Sequence, residues 1–74
     1  MASSVEAQTA LARILMERVR ADRHPSVTQM RILEETIPAP LVEEYLEILL
    51  EKTAQDRTPS IPMLQRIQRI AGQL

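Results

Sequence analysis

Cysteine, phenylalanine and tryptophan are absent from this 74-residue chain, tyrosine and histidine occur once each, as Tyr45 and His24, and Gly72 is the single glycine. Each absence removes a class of function. Without cysteine there is no disulfide framework and no thiolate zinc site. One imidazole leaves no multi-histidine metal site, and neither metal nor cofactor is expected. One glycine cannot build the loop that cradles a phosphate group, and one aromatic ring cannot build a platform for stacking bases. Long apolar runs are also missing. Uninterrupted stretches reach three residues, as in Ile14-Leu15-Met16 and Ile48-Leu49-Leu50, against the roughly 20 that a membrane helix needs. No membrane span is expected. The first residues, Met1-Ala2-Ser3-Ser4-Val5-Glu6, lack the basic start and apolar stretch of a secretory signal and carry an acid early, unlike a transit peptide. A cytoplasmic location is the expectation, which the lack of cysteine fits.

What is present is aliphatic side chains and balanced charge. Apolar residues make up 45% of the chain, and 20 of them are Leu, Ile or Val. That is enough for a packed core and too much for an intrinsically disordered tail. At this length the chain is one domain, residues 1–74, and so small a domain buries a lower fraction of its surface than a larger one. Small proteins without disulfides or metals offset that thin margin by regular helix packing or by oligomerising. The net charge is −1, yet the signs are segregated: residues 1–33 sum to +2, residues 34–56 to −6 and residues 57–74 to +3. An acidic middle between basic ends can be matched within one molecule or between two copies, so it does not by itself imply a nucleic acid.

Proline divides the chain into four helical segments. From Ser4 to Asp22, Val5, Leu11, Ile14, Leu15 and Val19 recur at helical spacing, with Ser3 or Ser4 as N-cap. His24 precedes Pro25 and is pushed toward extended backbone, after which Ser26 caps a second helix running to Ile37 with Val27, Met30, Leu33 and Ile37 along one side. Pro38 and Pro40 end it. The third segment, 40–55, has proline in its first turn and Glu43 and Glu44 near its positive end, and it buries Leu41, Tyr45, Ile48 and Leu49. The fourth, 60–73, groups Met63, Leu64, Ile67, Ile70, Ala71 and Leu74 on one face. The expected fold is all-α.

Displacing the sequence over itself by 34 positions adds a second level of order. Ile14, Leu15, Glu17, Asp22, Arg23, Pro25 and Ser26 fall on Ile48, Leu49, Glu51, Asp56, Arg57, Pro59 and Ser60. That is seven identities in the fourteen positions 14–27, where ordinary residue usage gives about one. A tandem duplication of one helical hairpin is expected, repeat one over about 5–37 and repeat two over about 39–73, closing into a compact four-helix bundle or pairing as a dimer. A 34-residue period of paired helices resembles the tetratricopeptide repeats, although the Trp, Gly and Tyr positions of that pattern are unmatched here. Two hairpins are also fewer than the three repeats such stacks use to bury a continuous core.

The repeated Asp-Arg-x-Pro-Ser string is the strongest local signal, comprising Asp22, Arg23, Pro25 and Ser26, then Asp56, Arg57, Pro59 and Ser60. Its structural reading is direct. An arginine at a helix C-terminus is favoured by the dipole, the proline sets the turn, and the serine accepts from the next helix's free N–H groups. Ser26-Val27-Thr28-Gln29 also has the spacing of a capping box. His24 corresponds to Thr58 in the second occurrence, which cannot replace it as base or ligand. Glu34-Glu35 and Glu43-Glu44 are adjacent pairs, which point to different parts of a helix surface. No acid–base constellation can be assembled, and no catalytic activity is expected.

Thr58-Pro59-Ser60-Ile61-Pro62-Met63-Leu64-Gln65-Arg66-Ile67, with Arg69 following, resembles the helix that follows the recognition helix in phage-repressor-type helix-turn-helix domains. That resemblance implies a DNA-binding or transcription-associated helical domain. The glycine-containing turn of that family is absent, and a net charge of −1 leaves the electrostatic term that dominates DNA affinity weak. The favoured expectation is a protein-interaction module acting as a homodimer, with a further protein partner and without nucleic acid. Met16 and Leu50 lie beside the main apolar stripe at equivalent repeat positions. With Met63 they are the expected interface residues.

Overall fold

The computed structural model describes residues 3–74. Among them four α-helices follow one another without a strand: α1 (Ser4–Ala21), α2 (Val27–Thr36), α3 (Ala39–Gln55) and α4 (Ile61–Ala71). The fold is all-α, and every helix end lies within two residues of the segment read from the sequence. No described helix is long and apolar enough to cross a membrane.

Local chemistry accounts for the boundaries. Ser3, in extended backbone, accepts the Glu6 N–H on its hydroxyl at 3.1 Å and starts α1. Glu6 at this end and Arg18 and Arg20 in the last turn match the helix dipole. Ile37 is extended because Pro38 follows it, and its N–H closes α2 on the Leu33 carbonyl at 2.8 Å. Pro40 falls at the second position of α3, where a missing N–H leaves no intrahelical bond unmade. Thr53, inside α3, returns its hydroxyl to the Leu49 carbonyl at 2.9 Å, so this polar group is satisfied within the helix. α4 ends one residue before Gly72, whose N–H donates to the Gln68 carbonyl at 3.1 Å. Tighter turns follow, with Gln73 N–H on Ile70 O at 3.1 Å and Leu74 N–H on Ala71 O at 3.3 Å.

The chain divides into two units, the first ending at Leu41 and the second comprising Val42–Leu74. In the first, α1 packs against α2. α1 buries Ala12, Leu15, Met16 and Val19, and α2 buries Met30 and Leu33. Fully burying a leucine, valine or methionine side chain stabilises by about 1.5–3 kcal/mol, and Ala12 adds less. The apolar face of α1 differs from the one expected. Leu15 and Val19 are buried, but Val5, Leu11 and Ile14 are exposed. The buried set 12, 15, 16, 19 has the i, i+3, i+4, i+7 spacing of one helix face, which turns the stripe toward Met16 and away from Leu11 and Ile14. In the second unit Tyr45, Ile48 and Leu49 of α3 and Ile70 of α4 are buried, with Met63 and Ile67 half-buried.

Candidate functional site

The two corners, residues 22–26 and 56–60, are both non-helical, each bending at its second and third residues, and their exposure matches position by position. Asp22 and Asp56 close the preceding helices, their N–H groups donating to Arg18 O at 3.0 Å and Lys52 O at 3.1 Å. Asp56 Oδ1 also accepts the Thr58 N–H at 3.3 Å, the short-range bond that lets Asp organise a turn. Pro25 and Pro59 are half-buried. Ser26 and Ser60 follow in extended backbone, accepting Gln29 N–H at 3.3 Å and Met63 N–H at 3.2 Å on their hydroxyls. Arg23 and Arg57 are exposed two residues beyond the ends of their helices. His24 and Thr58 are exposed between them. The reciprocal half of the capping box is not made: Gln29 Oε1 is buried without a hydrogen-bond partner.

The expected interface residues separate. Met16 is 3% exposed and belongs to the buried face of α1, because that face is turned toward it. It is therefore withdrawn as a surface residue. Leu50 is 48% exposed, and Met63 is half-buried.

A reciprocal pattern appears when positions 34 apart are compared. Leu11 and Ile14 are 41% and 57% exposed, whereas Tyr45 and Ile48 are 1% and 2% exposed. In the opposite sense, Met16 and Met30 are buried, whereas Leu50 and Leu64 are exposed. Leu15 and Leu49 are buried at both occurrences, and Val27 and Ile61 are exposed at both. The exposed positions of α1 are missed by reading it as one stripe. Their signal in the sequence is a second periodicity: Ala7, Leu11, Ile14, Arg18 and Ala21 recur at alternating spacings of four and three, a seam of the kind that faces another helix.

Charge decorates these exposed ridges unequally. On α1, Arg18 lies four residues after Ile14 and seven after Leu11, so it shares their face, whereas Arg13 and Arg20 lie seven apart on another. Arg20 Nε pairs with Glu17 at 3.7 Å in an exposed i, i+3 arrangement. On α3, Glu43 and Glu47 precede Leu50 by seven and three residues and are exposed. Arg66 on α4 is half-buried and Arg69 is exposed. Among the described residues no group of three or more His, Cys, Asp or Glu side chains is placed to hold a metal ion. Compared with known proteins, the chain matches no family model, no curated protein and no solved structure.

Proposed function

We propose that this chain is a non-catalytic helical protein-interaction module that associates with itself, built from a duplicated helical hairpin. The observation that carries the reading is the amount of aliphatic surface left in water: nine large apolar side chains among the described residues are exposed, including Leu11, Ile14, Leu50 and Leu64. Single exposed leucines are ordinary, but a small chain that leaves aligned aliphatic positions on a helix uncovered is suited to covering them with a partner. The duplication is supported by the 34-position identity, by helix ends that coincide under the same displacement at Ala21 and Gln55 and at Val27 and Ile61, and by the matching corners.

Sedimentation equilibrium across a concentration series tests this reading. The weight-average mass is expected to rise above the monomer value of 8.4 kDa within the micromolar range. A mass that stays at the monomer value up to high micromolar concentration overturns it.

A further inference from the structure

We infer that two copies join head to tail, the Leu11–Ile14–Arg18 ridge of α1 in one copy docking on the Glu43–Glu47–Leu50 ridge of α3 in the next. The inference rests on the self-association proposed above and specifies its geometry.

Positions 34 apart on α1 and α3 are exposed in reciprocal fashion. The face that carries Tyr45 and Ile48 in α3 is covered, and the equivalent face of α1, carrying Leu11 and Ile14, is not. The face that carries Met16 in α1 is covered, and its equivalent at Leu50 in α3 is not. Each kind of face is therefore buried at one of its two occurrences and left in water at the other. Two copies therefore offer each other one uncovered α1 face and one uncovered α3 face. Two like faces meeting about a two-fold axis would instead pair α1 with α1 or α3 with α3.

Charge selects the unlike pairing. Beside Leu11 and Ile14 stands Arg18, and beside Leu50 stand Glu43 and Glu47, all exposed. Joining unlike ridges places a guanidinium against carboxylates at the edge of an aliphatic contact. Joining two α3 ridges would set four glutamates against one another, and joining two α1 ridges would oppose two arginines, arrangements that cost free energy rather than supply it. A contact between unlike ridges is heterologous, so each added copy leaves one ridge of each type uncovered unless a ring closes.

Complementation between two variants tests the geometry. Ile14→Glu removes the α1 ridge and Leu50→Glu removes the α3 ridge. Both side chains are exposed, so helicity by circular dichroism should be retained, and Leu11→Glu replaces Ile14→Glu should that variant lose it. Sedimentation velocity and native mass spectrometry are run on the wild type, on each variant and on their equimolar mixture. The expected result is self-association in the wild type, association weakened at least tenfold in each variant alone, and a two-copy species containing one of each variant in the mixture. That species forms because the pair retains one intact α1 ridge and one intact α3 ridge. If one variant alone is impaired, the contact is between like ridges and the head-to-tail inference fails while self-association stands. If both variants associate as the wild type does, or if the mixture stays monomeric beside an associating wild type, the inference likewise fails alone. A wild type that remains monomeric overturns both.

Discussion

Ser26 and Ser60 stand 34 residues apart and hold the start of a helix in the same way, one accepting the Gln29 N–H at 3.3 Å and the other the Met63 N–H at 3.2 Å. Each follows a half-buried proline, and each is exposed. Because the local geometry is shared, the losses on removing the hydroxyl should be alike: Ser26→Ala and Ser60→Ala are each expected to cost about 1 kcal/mol. Urea unfolding midpoints at unchanged m-value measure this directly. Negligible loss in both variants would leave the repeated Asp-Arg-x-Pro-Ser string without its structural explanation.

Leu49 and Leu50 are adjacent in the chain and opposite in consequence. Leu49 is fully buried and Leu50 is half in water. Leu49→Ala is expected to destabilise by about 2–5 kcal/mol, the range for a buried leucine replaced by a smaller side chain that leaves a cavity. Leu50→Ala should fall within about 0.5 kcal/mol of the wild type when measured at a concentration low enough to keep copies apart. Thermal unfolding of the two variants side by side checks the contrast. Equal losses would mean that Leu50 is covered in the folded monomer.

The helices were legible because punctuation in this sequence is chemical. Proline fixes backbone angles and removes a donor, and serine supplies an acceptor, so Pro25-Ser26, Pro38 and Pro59-Ser60 mark boundaries without reference to tertiary structure. The buried face of α3 was legible too. Leu41, Tyr45, Ile48 and Leu49 are the strongest apolar set on that helix at one helical spacing, and all four are buried. α1 was harder because it is apolar on more than one side. Leu11 and Ile14 define one stripe, and Ala12, Leu15, Met16 and Val19 another, and periodicity alone does not rank them. Reading Val5, Leu11, Ile14, Leu15 and Val19 as a single stripe merged the two and left Met16 beside it. The surface ridges are the part least available to sequence reasoning, because an exposed leucine and a buried one carry the same letter.

Gln29 tests whether a buried acceptor without a partner weakens this small fold. Its Oε1 is buried and unbonded, although the spacing from Ser26 would allow the side chain to reach back to the Ser26 N–H. Methionine keeps the unbranched length and nearly the same helix propensity while removing the polar atoms. Gln29→Met is therefore expected to stabilise the chain by about 1 kcal/mol, the lower end of the desolvation penalty for an unsatisfied group. Denaturant titration reads the sign. A loss of stability would show that the amide closes the capping box on Ser26 in solution.

Gly72 tests whether the only glycine is needed where it stands. Helices often end on a glycine in the left-handed region, where other residues are strained. Gly72 does not adopt that conformation: its φ of −69° and ψ of −13° lie in the right-handed helical region, open to any L-residue. Space is also available, since a methyl group added there would meet the Gln68 and Arg69 carbonyl oxygens at 3.4 and 3.6 Å, ordinary contact distances. With neither strain nor collision in the folded state, the remaining effect of alanine is on the unfolded chain, whose backbone loses conformations that glycine alone can visit. Gly72→Ala is expected to stabilise by about 0.4–1 kcal/mol, with α4 extended at its C-terminal end. Unfolding midpoints measure the gain, and amide hydrogen exchange at residues 72–74 measures the extension. A destabilised variant would mean that the end of α4 depends on a glycine-only conformation, and the right-handed turn described for Gly72 would then not be the one the protein uses.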